Sequence, residues 1–237
     1  MKIGIIGAME PEVAILKDAM VDLKTTELGG YAFFCGQINN MDVVLVQCGI
    51  GKVASAVATT LLLTQFTPDC VINTGSAGGF DQALEVGDVV ISSEVRHHDV
   101  DVTAFGYEIG QLPNMPAAFK AHPMLIEAAE QSVKQVSDVQ VTTGLITTGD
   151  TFMCKPDVIE QARKNFPTMK AVEMEGAAIA QTCHQLSVPF VVIRSLSDIA
   201  GKESPESFEA YIEKASKYSS QMVMALLTNL QGKTLTA

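Results

Sequence analysis

The sequence predicts an α/β fold, with a sheet covered by helices on both faces. Three observations carry that expectation. Strand-like and helix-like segments alternate along the chain. The strand-like segments are short, nearly continuous apolar runs, as in strands buried on both sides. The 237 residues, 47% hydrophobic and 18% charged, suit one domain with a large core. The expected domain is the whole of residues 1–237, because no linker interrupts it. The one loop-rich stretch, near Phe105–Pro116, holds neither a Ser/Gly run nor a charge block.

Lys2–Ala8 reads as a buried strand ended by small residues. Pro11 suits the first turn of a helix running through Val13, Leu16, Lys17 and Met20. Tyr31–Ile38 and Met41–Gln47 read as strands paired around Asn39–Asn40. A helix follows Gly51, with Ala54, Val57, Ala58, Leu61 and Leu62 on one stripe. Cys70–Asn73 is the next strand, breaking into a glycine-rich turn at Thr74–Gly79. Val86–Ser92 reads as a strand, His122–Val136 as a helix and Val139–Thr147 as a strand. Lys155–Asn165 follows as a helix opened by Pro156. Lys170–Glu173 is a short strand leading through Met174–Glu175 into the helix Gly176–Leu186. Pro189–Leu196 is a β-branched strand ending at Ser197–Asp198. The last helix carries Phe208, Tyr211, Ile212, Ala215, Met222, Val223 and Leu226 on one face.

Ligands in such folds bind beyond the C-terminal ends of the strands. Four strand ends carry suggestive residues: Met9, Glu10 and Glu12; Ser76; Met174 and Glu175; Ser197 and Asp198. Parallel neighbouring strands would bring three carboxylates and a hydroxyl to one rim. Each group also has a plainer reading. Glu10, Glu12, Glu173 and Glu175 suit first turns of helices, where the dipole favours acids. Ser197–Asp198 suits an N-cap or a turn, and Ser76 a turn. It is their recurrence at several strand ends that suggests a site.

Composition narrows the partners. A net charge of −11, with no basic face, disfavours nucleic acid. Met1–Gly7 is too short for a signal segment, and no apolar stretch reaches a membrane span, so a cytoplasmic, soluble protein is expected. The five cysteines include no CxxC pair, which suits free thiols in a reducing compartment. His97–His98–Asp99 lacks further ligands at suitable spacing, so neither a metal nor another cofactor is expected. Gly4-x-x-Gly7 lacks the spacing of a dinucleotide fingerprint. Gly51–Lys52 lacks the first glycine and the hydroxyl of a phosphate loop, with Val46 and Val53 in those places.

The segments GIIGAMEPE (Gly4–Glu12), GIGKV (Gly49–Val53), INTGSAGG (Ile72–Gly79), DVTAFGY (Asp101–Tyr107), TGDTF (Thr148–Phe152), AVEMEGAA (Ala171–Ala178) and VIRSLSD (Val192–Asp198) occur in order along nearly the whole chain. Together they resemble the bacterial 5′-methylthioadenosine/S-adenosylhomocysteine nucleosidases of the nucleoside phosphorylase superfamily. The resemblance implies a three-layer α/β/α fold around a central mixed sheet. It also implies hydrolysis of the N-glycosidic bond of these nucleosides, and of 5′-deoxyadenosine, in methionine salvage. By the same resemblance Glu12 activates the attacking water and Asp198 protonates adenine at N7. Glu175 holds the ribose hydroxyls, with Met174 beside the sugar. Ser76 and Arg194 help position Glu12, the water and Glu175, and Ser197 neighbours the acid. Phe152 stacks on adenine, and the backbone at Met153 reads the base edge. Met9, Ile50 and Phe208 make apolar contacts around the sugar and the 5′-thio group. Val102, Phe105 and Pro113 are lent to a neighbouring subunit, implying a homodimer. Pro11, Thr151, Met153, Gly176 and Ser195 depart from the family's common residues without removing a catalytic group.

The residues suit that reaction. Adenine leaves poorly as an anion, so protonation is general-acid catalysis. A free Asp, with a pKa of about 3.9, holds no proton at neutral pH. Burial or contact with N7 must therefore favour the protonated form. The ribose turns cationic as the bond breaks, and carboxylates stabilise it. A phosphorylase would instead need cations beside Ser76. Asn73 stands where such enzymes carry an arginine, and Glu10 and Glu12 would repel phosphate. A non-catalytic nucleoside sensor would need neither Glu12 nor Asp198.

Overall fold

The structure is a computed structural model that describes residues 1–136, 139–200 and 204–235. It opens with β1 (Lys2–Gly7), α1 (Glu10–Asp18), β2 (Val21–Leu28), β3 (Tyr31–Ile38), β4 (Met41–Gln47) and α2 (Lys52–Leu61). The middle of the chain forms β5 (Cys70–Gly79), β6 (Val89–His97), β7 (Phe119–Lys120), α3 (Pro123–Val136) and β8 (Val141–Thr148). It ends with α4 (Pro156–Asn165), β9 (Met169–Glu173), α5 (Gly176–Gln185), β10 (Phe190–Ile199) and α6 (Ser204–Asn229).

One mixed sheet orders the strands β10-β6-β8-β9-β5-β1-β4-β3-β2, with β7 on β6. Because β10 also pairs with β5, the strands β5, β10, β6, β8 and β9 close on themselves. The central pairs β1–β4, β1–β5 and β10–β5 are parallel. Helices cover both faces: α1 and α3 pack on α6, which lies on β5 and β10, while α2 packs on α5. That double cover is why most of β1 and the opening halves of β5 and β10 are apolar without alternation. Ile3, Ile5, Ile6, Val71, Ile72 and Val191–Ile193 are fully buried in the main core. A smaller cluster seats α4 through Ile159 and Ala162 against Phe80, Phe166 and Met169.

Four expectations need correction. The first helix stops at Asp18, and an unforeseen strand, β2, begins at Val21. Its residues are nearly all exposed, so burial left no apolar pattern to read, and its charges suit a sheet edge. The strand expected at Val86–Ser92 lies at Val89–His97. The glycine-rich segment after Asn73 is strand, not turn, since β5 runs on to Gly79. A Cβ at Gly75 would overlap Arg194 Nη1 and stand 2.8 Å from Glu12 Oε1, so the bare backbone lets the strand pass between them. Likewise β10 continues through Ser197 and Asp198 to Ile199, with its register on β5 shifting between Leu196 and Asp198.

Candidate active site

A cavity of about 230 Å³ opens where β1, β5, β9 and β10 meet the starts of α1 and α5. The expected residues Met9, Glu12, Ile50, Ser76, Phe152, Met174, Glu175, Ser197, Asp198 and Phe208 all line it. Met153 lines a smaller adjoining hollow together with Phe152, Met174 and Asp198. Arg194 lies beneath the cavity rather than on its wall. Val102, Phe105 and Pro113 do not reach it, and Phe105 is 81% exposed.

The convergence does not come from parallel strand ends alone. Strand β9 runs antiparallel to β5, yet delivers Glu173 and Glu175 because its end crosses Gly78 and Gly79. On β10, Ser197 and Asp198 are consecutive and both line the cavity. Strict alternation forbids that, and the register shift at this point supplies the extra residue that permits it.

Glu12, buried in the first turn of α1, is held by four donors. The N–H groups of Ala8 and Met9 reach Oε2 at 2.8 and 3.1 Å. The N–H and hydroxyl of Ser76 both reach Oε1 at 3.0 Å. A carboxylate accepts about four hydrogen bonds, so water can engage Glu12 fully only if one donor yields. The Ser76 hydroxyl, a free rotor, is the one that can.

Glu175 accepts the Gly51 N–H on Oε1 at 2.9 Å, and its Oε2 lies 3.7 Å from Arg194 Nη2. Burial, followed by the charge of Glu173, pushes its carboxyl up to about 7, against the pull of Arg194. Arg194 is fully buried. Its Nη2 donates to Asn73 Oδ1 at 2.7 Å and pairs with Glu173, while Nη1 donates to Thr74 O at 3.2 Å. Despite its burial, the surrounding glutamates hold its guanidinium above its ordinary pKa. Asp198 is buried, and the Ser197 hydroxyl donates to its Oδ1 at 3.0 Å. Phe152 and Phe208 meet edge to face, with ring centres 5.9 Å apart.

Glu173, read from the sequence only as a first-turn acid, is a structural centre of the site. It accepts the Thr148 hydroxyl, the N–H groups of Glu175 and Gly176 at 3.0 and 2.7 Å, and Arg194. Its only sequence signal is a second acid two residues before Glu175, and because β9 ends at Glu173 no strand periodicity links the two. The role of the Gly51 N–H had no side-chain signal at all.

Glu12, Glu173, Glu175 and Asp198 give the cavity four carboxyls, and among the described residues no Lys or Arg lines it. Such a wall favours a cation and repels a phosphate. Among the described residues, no group of three His, Cys, Asp or Glu is placed to hold a metal ion. Nor is any described helix long and apolar enough to cross a membrane. The five cysteines are free thiols, and burial pushes Cys48 and Cys183 far above the usual thiol range.

Residues 2–228 match the family described as the phosphorylase superfamily. The chain is 67% identical to the 5′-methylthioadenosine/S-adenosylhomocysteine nucleosidase of Pseudoalteromonas translucida, over 99% of this chain and all of the relative. Its fold is similar to the crystal structure of such a nucleosidase from Colwellia psychrerythraea in complex with adenine. The TM-score is 0.98 at 64% identity, covering 100% of this chain and 98% of the other. The nucleosidase of Neisseria meningitidis in complex with methylthio-immucillin-A matches with a TM-score of 0.93 at 47% identity. That match covers 95% and 97% of the two chains.

Proposed function

The chain belongs to the phosphorylase superfamily and, within it, to the 5′-methylthioadenosine/S-adenosylhomocysteine nucleosidases, and from that premise we propose how its cavity divides the chemistry. The reaction is hydrolysis of the N-glycosidic bond of these nucleosides, releasing adenine. Asp198 protonates N7, so that the base departs neutral. Glu175 accepts the ribose hydroxyls, and Glu12 orients and deprotonates the attacking water as the Ser76 hydroxyl turns aside. The carboxyl-rich wall stabilises the oxocarbenium-like sugar. Phe152 and Phe208 flank the base and sugar. The observation that carries this reading is the buried Glu12 carboxylate, fixed by four hydrogen-bond donors in the cavity that Asp198 also lines.

Water, not phosphate, is the nucleophile in this reading. The guanidinium of Arg194 is already committed to Glu173, Asn73 and Thr74. Adenine release from methylthioadenosine is therefore expected at the same rate with and without millimolar phosphate, with free methylthioribose as co-product. A rate that rises with phosphate and a sugar 1-phosphate product would sink the hydrolytic assignment.

We also propose a homodimer in which Val102, Phe105 and Pro113 complete the neighbour's site. Support comes from Phe105, 81% exposed, and from Val53 and Val57 on α2, 76% and 44% exposed. Sedimentation is expected to give twice the chain mass at micromolar concentration, and Phe105→Ser to raise KM. A monomeric enzyme of full activity overturns this.

A further inference from the structure

We propose that Lys52, Asp99 and Asp150 form a latch that positions Glu175, acting through the backbone N–H of Gly51. The proposal rests on the reading of Glu175 as the ribose-holding carboxylate. The three residues come from separate segments: Asp99 just beyond β6, Asp150 just beyond β8, and Lys52 at the start of α2. Their bonds close a circuit. The Lys52 N–H donates to Asp150 Oδ1 at 2.8 Å, and the Asp150 N–H donates to Asp99 Oδ2 at 3.0 Å. The Lys52 ammonium returns to Asp99 Oδ1 at 2.6 Å.

Gly51 sits against this circuit. Its φ of +95° is in the left-handed region, and a Cβ there would stand 3.0 Å from Asp150 Oδ1. Only glycine both adopts that turn and admits the carboxylate. The turn aims the Gly51 N–H at Glu175 Oε1, 2.9 Å away. The same circuit steadies the cavity wall, because Ile50 precedes Gly51 and Phe152 follows Asp150 by two residues.

A simple helix cap would explain only part of this. Asp150 does satisfy an otherwise orphaned N–H at the start of α2, where an acid is also favoured by the helix dipole. A cap needs no second carboxylate behind it. Asp99 and the Lys52 ammonium fix where Asp150 stands, and thereby where Gly51 stands. The Lys52–Asp99 pair is partly exposed, with side chains 21% and 25% accessible, so its worth lies in geometry more than in stability.

A double-mutant cycle tests the latch, read as kcat and KM for methylthioadenosine on folded variants. Asp150→Ala is expected to lower kcat/KM by about 10- to 100-fold, as misplacement of a substrate-holding group does. Asp150→Asn should restore most of that loss, since the amide oxygen still accepts the Lys52 N–H. In a Glu175→Gln background, Asp150→Ala should cost no more than about twofold further, because the group it positions is already impaired. The same loss factor in both backgrounds would make Asp150 a cap without a path to Glu175 and overturn the latch. A Glu175→Gln enzyme as active as the wild type would overturn the ribose reading instead, and the latch with it. Should Asp150→Ala fail to fold, Lys52→Met enters the same cycle. It keeps the bond to Asp150, frees Asp99, and is expected to show the same non-additivity.

Discussion

Exchanging Asp198 for Asn is expected to lower kcat for adenine release by about 10²- to 10⁴-fold, the usual weight of a general acid. The amide has the shape of the carboxyl and can still accept the Ser197 hydroxyl that Asp198 accepts at 3.0 Å. It has no proton to give N7. The melting temperature should therefore stay nearly unchanged while turnover collapses. A second substrate isolates the cause. A methylthioriboside bearing a nitrophenolate leaving group departs without protonation, so the variant should process it to within about tenfold of wild type. Equal losses on both substrates would show that Asp198 serves the sugar or the binding step, and would sink its assignment to N7.

Exchanging Arg194 for Met is expected to have the largest effect on stability. The guanidinium is fully buried, and it faces Glu173 and Glu175, whose side chains are 2% and 6% accessible. Removing one partner of a buried ionic group costs about 3–5 kcal/mol, because the remaining charge is left uncompensated. For a chain of this size that is a fall of about 6–20 °C in Tm. A second change, Glu173→Gln, should recover part of it by removing a stranded charge. A deficit that Glu173→Gln deepens would show that lost packing, not charge, dominates.

The same variant carries a pH signature. Burial and Glu173 raise the Glu175 carboxyl from 4.5 to about 7, and Arg194 opposes the rise. A carboxyl raised on folding contributes stability that is full below its ordinary value and lost as pH climbs through the folded one. Without Arg194 the rise is larger. The stability deficit against wild type should therefore widen as pH climbs above about 7, where Glu175 ionises in the folded wild type but stays protonated in the variant. The acidic limb of kcat/KM, which reports the free enzyme, should move upward as well. A deficit independent of pH would show that Arg194 does not act through these carboxyls.

Much of the fold was legible because burial leaves a pattern. Strands covered on both faces carry apolar runs without alternation, and β1, the middle of β4 and the first half of β10 show such runs. The hairpin of β3 and β4 was marked by Asn39–Asn40, both of which adopt positive φ, at 50° and 59°. Strand β2 was not legible, since an exposed edge places no constraint on hydrophobicity. The extents of β5 and β10 were misread for the opposite reason. Glycine, serine and aspartate ordinarily mark turns, but here a buried network satisfies the polar groups and the missing Cβ atoms make room for it.

The chemical side chains of the site were likewise present in the sequence. Glu12, Ser76, Glu175 and Asp198 were named from strand ends and ordered motifs, and all four line one cavity. What residue types alone determined was the inventory: acids and a hydroxyl at strand ends, apolar residues beside them, and no metal-ligand spacing. Only the tertiary structure decided how those acids are used. It closed β5, β10, β6, β8 and β9 on themselves, brought β9 in antiparallel, and shifted the register at Ser197 so that two consecutive side chains face the cavity. It also made Glu173 the partner of Arg194, and made a backbone N–H, that of Gly51, a ligand of Glu175. Sequence pattern records which side chains are buried and at what period. Hydrogen bonds from the main chain, and contacts between residues more than a hundred positions apart, leave no such periodic trace.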